Sequence, residues 1–168
     1  MIALAKASTL RLLTLNIGSP TLHRNALMGL LSQHQPHICT LHECNLPNGQ
    51  VHILRSVVSP LGYQVLPGKD GLCTLVRFGL NAAPIALADA DTGFRAQRLA
   101  LQMGENRVLI RHRHADSASA LRRKEYATAL EAEASGQHII DIGDFNECPN
   151  PRTWETDSCC FRARTPTA

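Results

Sequence analysis

The stretch from residue 9 to residue 42 constrains this chain more than any other. Residues 9–17 (TLRLLTLNI) form a run rich in Leu, Thr and Ile that ends at Gly18, the pattern of a buried or half-buried strand. Ser19-Pro20 then offers a helix start, with a hydroxyl for early backbone N–H groups and a proline in the first turn, where its missing donor costs nothing. Leu22, Ala26, Leu27, Leu30 and Leu31 recur at helical spacing as far as Pro36, and residues 37–42 (HICTLH) read as a second strand. A strand, an amphipathic helix and a strand in that order predict a parallel pair joined by a crossover. The chain is therefore expected to be α/β, with sheets layered against helices rather than a helical bundle.

The remaining periodicities extend this plan. Residues 51–58 suit a short amphipathic helix with Ile53, Leu54 and Val57 inward, broken by Pro60-Leu61-Gly62. Short strands follow at 63–66, 72–78, 84–87 and 97–102, and 106–112 pairs with the last of these as a hairpin across Gly104-Glu105-Asn106. Asp116 or Ser117 can cap a helix running to about residue 133, and 138–142 is a buried strand. Residues 150–168 carry no strong period and read as an irregular tail on a single domain spanning 1–168, a length that holds one core and not two.

Charge and composition narrow the function only a little. A net charge of +3 permits a polyanionic partner without demanding one. With 4% aromatic residues, stacking on bases and sequence-specific reading are poorly supplied, although Arg111, His112, Arg113 and His114, followed by Arg122, Arg123 and Lys124, can guide a phosphate backbone. No apolar run reaches the ~18 residues of a membrane span, and the first residues lack the apolar core of an export signal. The six cysteines are accordingly read as reduced and the protein as intracellular, cytoplasmic or nuclear. In an extended strand His37 and Cys39 face one way and His42 and Cys44 the other, which argues against a zinc site built from the four.

Three polar points stand at the carboxyl ends of apolar strands: Asn16, Glu43, and Asp144 with Asn146. Strand ends are where a sheet presents side chains together while its interior stays dry. Glu43 is a hard oxygen ligand suited to Mg2+ or Mn2+, ions held by few carboxylates that keep waters and phosphate oxygens in their other positions. Asp144 and Asn146 lie two apart on an extended chain, so one can orient a water while the other donates to a phosphate oxygen.

These residues carry a family resemblance. LRLLTLNIGS resembles the first-strand motif of the endonuclease/exonuclease/phosphatase family, HICTLHEC its segment ending in Gln-Glu, and IIDIGDFNECPN its Gly-Asp-Phe-Asn signature, in the family's order. Weaker matches lie between, in GLCTLVR, QRLALQM and VLIRH. The resemblance implies a two-sheet sandwich flanked by helices, a four-layer α/β/β/α fold. It implies metal-site roles for Asn16 and Glu43, a phosphate contact for His112, with His114 competing for that role, a water-orienting role for Asp144, and phosphate binding by Asn146. The activity implied is Mg2+- or Mn2+-dependent phosphodiester hydrolysis, with nucleic acid as substrate, DNA ahead of RNA, and a retroelement-type endonuclease as the favoured subtype.

The departures are as specific. His42 stands where the family has Gln, and Cys44 where Thr is usual. The closing Ser-Asp-His segment of the family has no match in residues 150–168, so the fold is expected to be incomplete at its C-terminus and turnover by this chain alone weak or absent. Two other readings stay open: a lipid- or inositol-phosphate phosphatase of the same fold, and a catalytically inactive remnant that at most binds metal or polyanion.

Overall fold

The computed structural model describes residues 9–44, 46, 50–87, 95–114, 138–144 and 161–164. The helix anticipated at 116–133 lies outside them, as does Asn146. Strand β1 (Leu12–Asn16) pairs in parallel with β2 (Ile38–His42) through the crossover helix α1 (Arg24–His34). Helix α2 (Val51–Val58) leads through a short 3-10 turn into β3 (Tyr63–Pro67) and β4 (Cys73–Arg77). These four strands form one sheet in the order β1-β2-β4-β3. The second sheet runs β5 (Asn81–Ile85), β6 (Arg95–Met103), β7 (Asn106–His114), β8 (His138–Asp144), β9 (Phe161–Arg164), with β7 and β8 parallel and the other pairs antiparallel. The two-sheet α/β sandwich expected from the sequence is the fold observed. No helix among the described residues is long and apolar enough to cross a membrane.

The side-chain period of two sorts the first sheet into two faces. Cys39, Leu41, Cys73, Leu75, Tyr63 and Val65 face α1 and α2, packing with Leu27, Leu31, Leu54 and Val58. Ile38 and Val76 face the second sheet and meet Leu99, Leu101, Val108, Ile110 and Ile142. Burying each such Leu or Ile stabilises the fold by roughly 1.5–3 kcal/mol before entropy is counted. Tyr63 ties the layers together by donating its hydroxyl to the Pro36 carbonyl at 2.8 Å.

Several local expectations are corrected. Helix α1 starts at Arg24, not near Ser19, because the Ser19 hydroxyl engages Thr21 Oγ1 at 3.2 Å instead of capping an early amide. Leu22 consequently stands outside the helix and 81% exposed. In α2 Leu54 and Val58 are buried and Val57 packs partly buried against the same core, as expected for Leu54 and Val57, whereas Ile53 faces outward. Strand β5 occupies Asn81–Ile85 instead of 84–87, set by its antiparallel register with β6. Within the stretch read as an irregular tail, Phe161–Arg164 forms a strand against β8; Phe-Arg-Ala-Arg alternates with the period a strand requires.

Candidate active site at the carboxyl ends of the strands

Between the two sheets, polarity rises from one end to the other. The floor is the apolar cluster around Ile38, Val76, Leu99 and Ile110. Above it come Thr14, Thr40, Thr74, Gln97, His42 and His112, and at the rim stand Asn16, Glu43, His114 and the end of β8 at Asp144. The layer is built by register: Asn16 lies opposite His42 in β1–β2, and His114 opposite Asp144 in β7–β8. Both parallel pairs therefore end on the same side of the sandwich.

The middle layer is hydrogen-bonded in a defined sense. Gln97 donates its amide to the Leu66 carbonyl at 3.1 Å, which turns Oε1 toward Thr74, and the Thr74 hydroxyl donates to that oxygen at 2.7 Å. Thr74 Oγ1, 3.1 Å from His112 Nδ1, then accepts from the ring, so the His112 proton sits on Nδ1. Thr14 Oγ1 and His42 Nε2 are 2.7 Å apart. His42 meets His112 edge to face at 4.6 Å between centroids, and His114 at 5.8 Å. Burial, followed by the neighbouring His42 and His114, holds His112 well below the ordinary imidazole range, so this ring is neutral.

Glu43 reaches the rim through its backbone. Its φ of 52° lies in the left-handed region, which costs a non-glycine residue on the order of 1 kcal/mol or more. The turn is held by the Cys44 amide, which donates to the Gly71 carbonyl at 2.7 Å. Regular alternation would send Glu43 to the helix side and Cys44 to the sheet interface. The left-handed residue reverses this: Cys44 joins Cys39 and Cys73 in the helix-side core, and the Glu43 carboxylate lies 3.8 Å from His114 Nε2 with its side chain 46% exposed. The expectation that Cys44 shares a face with His42 is thus overturned. The Cys73 thiol donates to Cys44, holding the Cys44 thiol below its ordinary range, while that bond and burial raise Cys73.

The residues expected at the site divide accordingly. Asn16 and Glu43 lie at the ends of adjacent strands, and the backbone of Asp144 is beside His114 across the cleft. His112, assigned from the sequence to the phosphate, is fully buried beneath the rim, its Nδ1 engaged by Thr74. His114, two residues on, is the histidine at the mouth. Arg95, which no pattern in the sequence singled out, holds it there: Nη1 lies 3.3 Å from His114 Nδ1. Arg95 opens β6, a position whose proximity to His114 follows only from the β6–β7 register.

The donors available to a cation at this rim are a half-exposed carboxylate and an amide oxygen. Among the described residues no group of three or more His, Cys, Asp or Glu side chains is arranged to hold a metal ion. The carboxylate and the amide oxygen are hard donors, of the kind a water-rich divalent ion takes with few protein ligands.

The sandwich and its strand order match the fold that the resemblance to the endonuclease/exonuclease/phosphatase family implies, and the likeness to solved structures is one of fold. Solved structures with this fold include an AP endonuclease from Archaeoglobus fulgidus, 12% identical, with a TM-score of 0.62 over 85% of this chain and 60% of that one. The zebrafish (D. rerio) TDP2 complexed with a single-strand DNA product is 18% identical, with a TM-score of 0.59 over 83% of this chain and 61% of that one. The human Nocturnin catalytic domain with a bound sulfate is 18% identical, with a TM-score of 0.58 over 84% and 65%. The chain spans less than two thirds of the length of each of these three structures. No protein-family model and no curated protein matches it by sequence.

Proposed function

We propose that the chain is a divalent-metal-dependent phosphodiesterase domain acting on nucleic acid, DNA ahead of RNA. The observation that carries this reading is the placement of Glu43: a strained backbone turns its carboxylate onto the cleft rim, within 3.8 Å of His114 Nε2, where β1 and β8 also end. A carboxylate held exposed by a left-handed turn, when alternation would bury it, is a feature whose cost is offset by binding. The solved structures of like fold add support, since two of them are an AP endonuclease and a TDP2 with a DNA product.

In this reading Glu43 and Asn16 hold the cation, which when bound neutralises charge on a phosphoryl oxygen. The other roles belong to the protein. His114 donates through Nε2–H to a second phosphoryl oxygen, because its Nδ1 accepts from Arg95 and cannot also carry the proton. Asp144 orients and deprotonates the attacking water, and Asn146 binds the phosphate. His112, neutral and buried, supports His114 and His42 from below without touching substrate.

The test is cleavage of supercoiled plasmid and of a labelled single-stranded oligonucleotide by purified chain in Mg2+ or Mn2+, against EDTA. Nicking that requires the cation and falls at least about 100-fold in Glu43→Ala and in Asp144→Ala is the expected result. Cleavage that persists in both variants overturns the assignment.

A further inference from the structure

The left-handed turn at Glu43 has a second product besides the carboxylate at the rim: it brings two thiols together. Leu41 lies opposite Cys73 in the β2–β4 ladder, and the Cys44 amide is bonded to Gly71, two residues before Cys73. Cys44 and Cys73 belong to the same apolar core, are both free thiols, and share a hydrogen bond. Cys39 is in that core too, but it lies opposite Leu75 and hence diagonal to Cys73. Diagonal neighbours in an antiparallel pair are about 7–8 Å apart, beyond the reach of a disulfide.

We propose that Cys44 and Cys73 are a reversible dithiol–disulfide couple that reports oxidation to the Glu43 turn. Glu43 precedes Cys44 directly, so whatever moves the Cys44 sulfur acts on the strained residue that presents the carboxylate. Replacing a thiol–thiol hydrogen bond by a covalent S–S bond of about 2.05 Å draws Cys44 toward β4. That movement pulls Glu43 away from His114 and the cleft.

The oxidant class is a hydroperoxide. Cys44 is the more accessible of the two thiols, 4% exposed against 1% for Cys73, and sits at the rim end of the core beside the open Glu43. Its sulfur attacks the terminal peroxide oxygen, the O–O bond breaks, and Cys44 becomes a sulfenic acid while the remaining oxygen leaves as alcohol or water. The Cys73 sulfur then attacks the Cys44 sulfur, the S–O bond breaks, and the departing hydroxide leaves as water with the Cys73 proton. Two thiols have lost two protons and two electrons, and the peroxide has taken up both. A dithiol reductant reverses the step by exchange.

The experiment uses the wild-type chain of 168 residues, reduced, desalted, exposed to hydrogen peroxide and then blocked with N-ethylmaleimide. Digestion with trypsin and a Glu-specific protease separates Cys39 from Cys44, because cleavage after Glu43 falls between them, and mass spectrometry reads the linkages. The expected product is the Cys44 peptide joined to the 70–77 peptide that carries Cys73, two hydrogens lighter than the sum, and lost on treatment with dithiothreitol. Recovery of Cys44 as the maleimide adduct, as a sulfinic acid, or joined to any other cysteine overturns the proposal. The consequence for the site rests on the function proposed above and is read separately, as Mn2+ binding by electron paramagnetic resonance: affinity falls at least tenfold on oxidation in wild type and is unchanged by peroxide in Cys73→Ser. If the link forms and Mn2+ affinity is unmoved, the regulatory part fails. If the reduced chain binds no Mn2+ and cleaves nothing, the metal-site reading fails while the mapped disulfide stands.

Discussion

Arg95 donates from Nη1 to His114 Nδ1 at 3.3 Å, and that bond decides which ring nitrogen faces Glu43. A guanidinium has no acceptor, so Nδ1 must offer its lone pair and the ring proton belongs on Nε2, the atom 3.8 Å from the Glu43 carboxylate. Arg95 also places a fixed positive charge at the rim. Replacing it by Ala frees Nδ1 to take the proton, leaving Nε2 a bare acceptor turned toward an anionic substrate. Two-bond 1H–15N spectra of wild type should show a single Nε2–H tautomer at His114, and Arg95→Ala a mixture. Cleavage should fall about tenfold, the lower end of what an orienting partner contributes. An unchanged His114 spectrum in the variant removes Arg95 from this role.

His112 makes stability depend on pH. Its folded pKa lies well below the ordinary value of 6.5, with burial the main cause. In the unfolded chain the same ring takes a proton near pH 6.5 while the folded one stays neutral, so below that pH the unfolded state binds more protons. The contribution is fully present above about pH 6.5 and declines as pH falls, until the folded ring protonates too. The decline is about 1.4 kcal/mol for each pH unit inside that window. Urea midpoints measured between pH 7.5 and 5 should fall steeply in wild type and less so in His112→Gln. Parallel slopes in the two proteins would show that another group dominates.

How far the sequence discloses this architecture can be judged from single positions. Periodicity was enough for the parallel β1–β2 pair and for α2, whose limits at Val51 and Val58 were read directly, because each depends on a local apolar pattern. The β6–β7 hairpin was also legible, since Gly104 with a φ of 61° supplies the tight turn between Met103 and Asn106. The face of Cys44 was not, because one residue in the left-handed region inverts the alternation that a period-two reading assumes. The choice between His112 and His114 was equally hidden: both point to the same side of β7, and which one is roofed over depends on where β2 and β4 end in the opposite sheet. Arg95 leaves no trace in its own segment, since its partner lies nineteen residues away across a strand pair.

Arg111 and Asp141 form a two-pronged ion pair between β7 and β8, with Nε to Oδ1 and Nη2 to Oδ2 both at 2.7 Å and both side chains 0% exposed. Such a pair adds little over a well-packed apolar substitute, but losing one member strands a buried charge. Asp141→Asn should therefore destabilise the fold by about 3 kcal/mol in urea unfolding. It should leave the specific activity of the folded fraction unchanged, since the pair faces away from the cleft. A loss under about 1 kcal/mol, the range of an exposed pair, would mean that water reaches the site.

Gly143 shows why the Gly-Asp-Phe-Asn segment begins with glycine. Its φ is 155°, and a Cβ built there would fall inside the Arg113 carbonyl oxygen and 2.8 Å from its carbon. The obstacle is backbone of the adjacent strand, which cannot rotate aside as a side-chain tip can. Any side chain at this position must push β8 off β7 just where His114 and Asp144 are in register. Gly143→Ala is thus expected to cost at least about 3 kcal/mol, lowering the urea midpoint of the purified chain. Whatever fraction still folds should lose cation-dependent cleavage, which the folded fraction of Asp141→Asn retains, because the displacement falls on the site itself. A Gly143→Ala protein with wild-type stability and wild-type cleavage would mean that β7 and β8 do not approach this closely at the rim, and the alignment of His114 with Asp144 would have to be redrawn.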